Sequence, residues 1–559
     1  MSDLLGSVAP PTVLASAEGA STGVLAAIED AIDAVFTPLS DGLSAFVFAE
    51  IPLGGDTSFP WIVGWLILAA IIFTIAFGAP QFRNFRLAIK IARGRFSGDD
   101  EPGEIPHFQA LTSAVSGTVG LGNIAGVGVA MTIGGPGATF WMICAGLLGM
   151  CTKFVECTLG VRYREYHADG TVSGGPMHYL RKGLAERVPS AFGRNLGKVL
   201  AVLAAIFILF FGVAGGNMFQ ANQTFAQLTD VTGGETGFLG GDGAALIFGI
   251  VLAVLIGWII FGGARSVGRV TSRLVPFMAI IYVLACLTVI IVNAPLIPAA
   301  IGAIFAGAFT GAGVTGGVIG ALIVGFQRAA FSNEAGLGSA PIAHSAVKTR
   351  NPVTEGYVAL LEPFIDTVVI CTMTALTIVV ADTQYWRDAR LAYATQDADP
   401  AGVTVTSSAF ETVLPWFPYV LALAVALFAI STMITWGYYG QKAWDYLFGR
   451  SPLSKRVYIG VYCLFIVVGS VLTLGAVLDF ADSVLFLLAL VNIIGLYILA
   501  PVVKEEVKAF RDKRRSGEIV EMSSADRRAL ASRSVGSGSG PDTRPGSGPD
   551  SGPGAHRVE

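Results

Sequence analysis

The chain has 559 residues, 53% of them hydrophobic and 14% charged, with mean hydropathy +0.65 and a formal net charge of −4. A soluble domain carries about 25% charged residues, so this composition excludes an ordinary soluble enzyme, and the scatter of basic residues among short loops excludes a nucleic-acid surface. Six cysteines, Cys144, Cys151, Cys157, Cys286, Cys371 and Cys463, all fall in apolar stretches without CxxC or Cys/His spacing, which reads as reduced packing residues rather than a metal site.

The first 82 residues hold eight Asp or Glu and no Lys or Arg, and so lack the basic n-region of a cleaved signal peptide. Within them, 24–48 sets apolar residues at helical spacing opposite Glu29, Asp30, Asp33 and Asp41, the pattern of an amphipathic helix on the outer surface. Residues 1–58 are therefore expected to form an extracytoplasmic segment. A helix crossing ~30 Å of hydrocarbon needs roughly 20 apolar residues. Eleven segments are expected to span, at 59–80, 108–132, 137–161, 197–222, 244–262, 275–293, 312–330, 357–380, 415–437, 457–478 and 483–503. Alternate loops collect the basic residues, 22 against 2, beginning with Arg83, Arg86, Lys90, Arg93 and Arg95. The positive-inside rule then places the N-terminus outside and the C-terminus in the cytoplasm. Residues 504–559 open with Lys504, Lys508, Arg511, Lys513, Arg514 and Arg515, which suit a cytoplasmic membrane anchor. After Ser534 they become a Gly/Ser/Pro/Asp tail that is expected not to fold.

The second span is interrupted by glycine: Ser116-Gly117-Thr118-Val119-Gly120-Leu121-Gly122-Asn123 runs on to Gly126 and Gly128. Unwound backbone at membrane depth is tolerated only where protein buries it or it lines a cavity. Paired interrupted segments in two halves of a membrane chain point to a transporter's binding site. A second such stretch is expected at Gly307–Gly320. In the first, a half-helix starting near Gly122 aims the amides of Leu121, Gly122 and Asn123 at the gap, where they suit a carboxylate. The freed carbonyls of Ser116, Gly117 and Val119 suit a cation or an ammonium, and Thr118 and Asn123 add side-chain oxygens. Small residues also serve close helix packing, but these glycines cover more than one face. In the second stretch, Thr310 offers a hydroxyl, while Phe309 closes a pocket wall or packs on lipid.

Asn217 and Gln220 share a face of the fourth span and suit a zwitterion, with Gln223 nearer the interface. Ser431 and Thr432 in the ninth span either back-bond to their own helix or supply hard oxygens for sodium, and Trp436 lines the pocket or joins an interfacial belt. Lys153 and Glu156 are expected to pair. Glu362 and Asp366 lie in the eighth span and are proton-carrier candidates, although neither falls in a glycine-rich break. No nucleophile–base arrangement assembles, and Gly134–Gly137 lacks the lysine of a phosphate loop, so no enzymatic activity is expected.

These residues carry a resemblance. Gly117–Gly128, Ser173–Met177, Gly216–Asn222, Ser431–Gly440 and above all Phe331-Ser332-Asn333-Glu334-Ala335-Gly336-Leu337-Gly338-Ser339-Ala340-Pro341-Ile342-Ala343-His344 resemble the alanine or glycine:cation symporter family, over about 59–503. The resemblance implies an all-α transporter with the inverted five-plus-five repeat of the bacterial leucine transporter. Repeats would cover about 108–293 and 298–503, with two broken helices and one extra N-terminal helix. It implies import of a small neutral amino acid with sodium across the plasma membrane, with no other cofactor. Carried onto this chain, the carbonyls of Ser116, Val119 and Phe428 and the hydroxyls of Ser431 and Thr432 would bind sodium. The Leu121 and Gly122 amides, beside Thr118, Gly120 and Asn123, would hold the substrate carboxylate, and the Phe309 and Thr310 carbonyls its amine. Proton coupling through Glu362 or Asp366, and less favourably a channel, are the rival expectations. Alanine against glycine, stoichiometry and oligomeric state are not legible in the sequence.

Overall fold

The computed structural model describes residues 24–54, 57–96, 101–168, 170–241, 243–261, 264–310, 317–396 and 398–522. The N-terminal 23 residues, the Gly/Ser/Pro tail and Gly311–Gly316 of the expected second break lie outside the described residues. The described chain is helical apart from two short hairpins, Glu50–Gly54 with Thr57–Pro60 and Glu165–Tyr166 with Val172–Ser173.

Helix α1 (Val24–Val47) packs on the last long helix rather than lying apart: Phe36 meets Phe480 edge-on at 4.9 Å, and Ser40 donates to the Ala476 carbonyl at 3.1 Å. Then follow α2 (Trp61–Ala76), α3 (Phe85–Ala92) and the interrupted pair α4 (His107–Thr118) and α5 (Ala125–Ile133). Next come α6 (Gly137–Arg162), α7 (Ala191–Val213), α8 (Phe219–Val231), α9 (Ala244–Phe261) and α10 (Ala264–Val292). The second half holds α11 (Ile297–Thr310), α12 (Gly317–Asn333), α13 (Ala340–His344), α14 (Pro352–Ala359), α15 (Thr372–Ala381), α16 (Phe417–Phe448), α17 (Pro452–Val471) and α18 (Leu474–Arg515). Among the described residues, eight continuous helical stretches are long and apolar enough to cross a membrane, and α4 with α5, bent by 60°, makes a ninth. The expected first and seventh spans are α2, with 16 residues, and α12, with 17.

Two expectations about boundaries are corrected. The expected loop between the sixth and seventh spans is largely helical, because Ile297–Thr310 forms α11 ahead of α12. The turn before the last span lies at Leu472–Thr473, both with extended backbone, and not at 479–482. Asp479 and Asp482 therefore sit inside α18, where Asp482 pairs with Arg328 of α12.

The interior holds a cluster of buried charges. Lys153 of α6 is fully buried and meets Glu362 at 3.0 Å, with Glu156 farther off at 3.9 Å. The expected Lys153–Glu156 pair is thus the weaker of two. His344 of α13 places Nδ1 2.5 Å from Glu355 and Nε2 3.3 Å from Glu362, and the other Glu355 oxygen meets His107 of α4. Carboxylates accept only, so a ring flanked by two of them on both nitrogens suits the imidazolium. This chain of charges joins α4, α6, α13 and α14.

Removing one member of a buried ion pair leaves the other uncompensated, at a cost of ~3–5 kcal/mol. Lys153→Met should therefore lower the unfolding midpoint in detergent strongly, and Lys153→Met with Glu362→Gln should recover part of the loss. An unchanged midpoint in the single variant would show that the cluster does not hold these helices together.

Candidate functional site

Helix α4 ends because Val119 (φ −75°, ψ 90°) and Gly120 (φ −142°, ψ −150°) are extended. A single helical turn, Leu121–Asn123, precedes α5. The gap is fully buried. Any side chain at Gly120 would put its Cβ 2.3 Å from Thr432 Oγ1, so glycine is what lets α16 approach the unwound backbone.

Four hydroxyls tie the two elements. Ser116 Oγ lies 2.6 Å from Ser431 Oγ and 2.9 Å from Thr435 Oγ1, and Thr432 Oγ1 donates to the Ser116 carbonyl at 3.4 Å. Val119 and Phe428 are both fully buried. Among the described residues no carboxylate or cationic side chain hydrogen-bonds to this group. Neutral, hard oxygens without competing charge are a donor set suited to a monovalent hard cation. The sequence reading missed Thr435, although it sits one helical turn beyond Ser431 on the same face.

Freed amides of the break find side-chain partners. Gly120 N–H donates to Asn123 Oδ1 at 2.9 Å, and Leu121 N–H to Gln220 Oε1 at 3.2 Å. Asn123 in turn donates from Nδ2 to Asp366 Oδ1 at 2.7 Å and to Ser332 Oγ at 3.1 Å. Asp366 also accepts from Ser332 Oγ at 2.8 Å and Thr367 Oγ1 at 2.7 Å. It thus stands beside the first break, although it lies in neither glycine-rich stretch. The Thr118 hydroxyl turns back to the Val115 carbonyl of its own helix at 3.5 Å.

A further interruption flanks the first, after α12, beyond the expected Gly307–Gly320 stretch, whose Gly311–Gly316 lie outside the described residues. Helix α12 stops at Asn333, and Glu334, Gly336 and Gly338 have φ of 56°, 95° and 80°, left-handed conformations that no right-handed helix continues through. Phe331 and Ser332 lie in the last turn of α12, opposite Asn123. Glu334, buried within this interruption, accepts from Trp436 Nε1 at 3.0 Å and Ser339 Oγ at 2.6 Å. Trp436 therefore belongs to this interruption. Phe331 packs edge-on against Phe211 and Phe219.

Three expected site residues are elsewhere. Phe309 is 55% exposed on α11, with its ring 4.9 Å from Phe140, and the Thr310 hydroxyl donates to Ala306 O in its own helix. The structure does not bring them to the break, because residues up to Thr310 continue a helix on the outer face of α6. Asn217 sits in a π-helical turn, Ala214–Met218, and donates to the Tyr462 carbonyl of α17 at 2.8 Å, away from the gap. Gln223 is buried rather than interfacial and accepts from Val403 N–H at 2.9 Å.

Comparison with known proteins agrees with this architecture. The crystal structure of MhsT in complex with L-phenylalanine is similar with a TM-score of 0.51 at 15% identity, over 73% of this chain and 98% of that one. At that identity the likeness speaks for the fold alone, which is of the leucine-transporter type. The sodium/alanine symporter AgcS of Methanococcus maripaludis is 36% identical over 82% of this chain and 95% of its own. The amino-acid carrier protein AlsT of Bacillus subtilis is 32% identical over 85% and 94%, and the probable sodium/glutamine symporter GlnT of the same organism 31% over 81% and 88%. The sodium:alanine symporter family matches residues 53–524. The chain is a multi-pass membrane transporter, not an enzyme, and it belongs to the sodium:alanine symporter family.

Proposed function

We propose that the protein imports a small neutral amino acid, alanine or glycine, together with sodium, by alternating access across the plasma membrane. The observation that carries the reading is the buried hydroxyl group joining α4 at its break to α16. In this reading sodium takes the Ser431 and Thr432 hydroxyls with the carbonyls of Ser116, Val119 and Phe428, and Thr435 supports the same group. Eleven spans and an outside N-terminus follow from the loop charges, with the transport unit at about 59–503.

The two interruptions explain how a zwitterion is recognised. The N-terminal end of the α5 half-helix carries positive partial charge and the C-terminal end of α12 negative. They stand side by side through Asn123 and Ser332. A substrate carboxylate would displace Gln220 from the Leu121 amide, a neutral hydrogen bond being exchanged for a charge-assisted one. The ammonium would meet the terminal carbonyls of α12, near Phe331 and Ser332, in place of those of Phe309 and Thr310. Phe331, fixed by Phe211 and Phe219, limits the side chain to a small one.

Sodium bridging α4 and α16 would favour the outward-open state, and substrate would permit the change to inward-open. Such coupling requires each ligand to bind the two states with different affinity. Uptake of labelled alanine into proteoliposomes should follow an imposed inward sodium gradient and respond to membrane potential. Uptake indifferent to both would refute the reading. Ser431→Ala and Thr432→Ala each remove one oxygen, a loss of ~1–1.5 kcal/mol. Half-saturation for sodium should rise about tenfold, with substrate affinity falling only through the reciprocal coupling of the two sites. Unchanged sodium binding in both variants would reduce these hydroxyls to helix packing.

Proton coupling keeps one specific support: Asp366 is a buried carboxylate hydrogen-bonded to Asn123 in the first break. Glu362 is less suited to carry a proton, because Lys153 and His344 already hold it. Asp366→Asn should leave uptake driven by sodium if Asp366 only positions Asn123. It should abolish gradient-driven uptake if Asp366 is the proton carrier. Measuring uptake under separate sodium and proton gradients distinguishes the two.

A further inference from the structure

Where α2 ends and the apolar part of α18 gives way to Lys504, a cavity of about 620 Å³ opens between the two helices. Four arginines line it: Arg83, just after α2, and Arg511, Arg514 and Arg515 in the last turns of α18. Its other wall is apolar, with Phe77, Val507 and Phe510. Arg514 lies against the Phe96 and Phe510 rings at 5.4 and 5.8 Å. Three acids of the neighbourhood pair with other basic residues. Glu506 meets Arg162 at 3.2 Å, Glu518 meets Lys513 at 3.5 Å, and Glu521 meets both Lys90 and Arg95 at 2.8 Å. Among the described residues none of the four arginines forms an ion pair with a carboxylate. Four guanidinium groups converging on one cavity repel each other unless an anion joins them.

The position decides which anion. The cavity lies just past the apolar parts of α2 and α18, and its lining combines the arginines with Phe77, Leu87, Val507 and Phe510. Guanidinium groups hold phosphate oxygens through paired N–H donors. Basic pockets between helices at this depth suit anionic lipid headgroups. A soluble anion would use the arginines and leave the apolar wall uncovered, whereas a phospholipid uses both. We propose that this cavity is a binding site for the phosphate headgroup of an anionic phospholipid, whose acyl chains run along Phe77 and Val507. The site lies apart from both interruptions, and its existence does not depend on which ion drives transport.

The test uses the full chain in a neutral detergent, titrated with phosphatidylglycerol, phosphatidylcholine or inorganic phosphate while the unfolding midpoint is followed. Phosphatidylglycerol should raise the midpoint and the other two should not. In the variant Arg83→Gln, Arg511→Gln, Arg514→Gln, Arg515→Gln the half-saturating lipid concentration should rise tenfold or more. A charge-matched control, Arg181→Gln, Arg187→Gln, Arg194→Gln, Lys198→Gln, should keep the wild-type response. Three outcomes overturn the proposal: an equal response in the fourfold variant, an equal loss in the control, or an equal shift with inorganic phosphate. Should the fourfold variant not fold, native mass spectrometry of the wild-type protein purified without added lipid decides the matter. Retained phosphatidylglycerol that is lost in Arg83→Gln or Arg511→Gln supports the site, and its absence from the wild type refutes it.

Discussion

Inside a bilayer every backbone N–H and C=O must find its partner within the protein, and much of this molecule's interior follows from breaking that pattern twice. Each interruption frees groups that a continuous helix would have satisfied. At the first, Asn123 and Gln220 take the amides of Gly120 and Leu121. At the second, Asn333 takes the Ala335 amide at 2.9 Å, Glu156 the Gly338 amide at 3.0 Å, and Asn492 donates to the Gly336 carbonyl at 2.8 Å. These polar side chains are buried and need partners of their own. Asn123 finds Asp366, and the carboxylate of Glu156 lies near Lys153. The buried charges are thus a second consequence of the broken helices, one step removed from the gap.

Irregular helix geometry elsewhere serves the same ends. A π-helical stretch over Phe364–Cys371 carries Asp366 and Thr367, so that Asp366 reaches Asn123 and Thr367 accepts from Asn333 at 2.9 Å. Extra residues of this kind in a helix re-aim side chains without ending it, and they recur at functional positions. The π-helical turn Ala214–Met218 directly precedes the stretch of α8 that carries Gln220 to the first gap. Aromatic rings close the surroundings: Phe211 meets Phe331 on one side and Trp436 on the other.

The sequence made most spans legible because uninterrupted apolar runs and loop charges are strong, local signals. The first break was legible too, since glycines at closely spaced positions lie within one apolar segment. The interruption after α12 is not marked by glycine density, and Gly311–Gly316 of the expected second break lie outside the described residues. What stops α12 is left-handed backbone at Glu334, Gly336 and Gly338, a property of individual positions that a glycine count does not separate from helix packing. The run Phe331–His344 carries the family resemblance, but its residue types alone do not announce its chemistry. Asp366 and Thr435 were undervalued for a different reason: their roles come from contacts with residues more than 200 positions away, which no spacing rule reports.

The relative strength of the contacts indicates where the molecule can move. Helices α4, α6, α13 and α14 are joined through buried carboxylates, imidazoles and an ammonium group. Separating one such charge from its partner costs several kcal/mol. The junction of α4 with α16 is made of neutral hydroxyls, each worth ~0.5–1.5 kcal/mol net. If α4 is to move, the hydroxyl junction yields first and the charged group travels with it as a unit. A cation bound at that junction would add a charge-assisted term where the protein's own contacts are weakest. It can therefore shift the balance between two arrangements with an affinity difference of only a few kcal/mol. A cation placed inside the charged cluster would have to compete with Lys153 and would change little. The weak junction is consequently the place where ion binding has the greatest leverage over conformation.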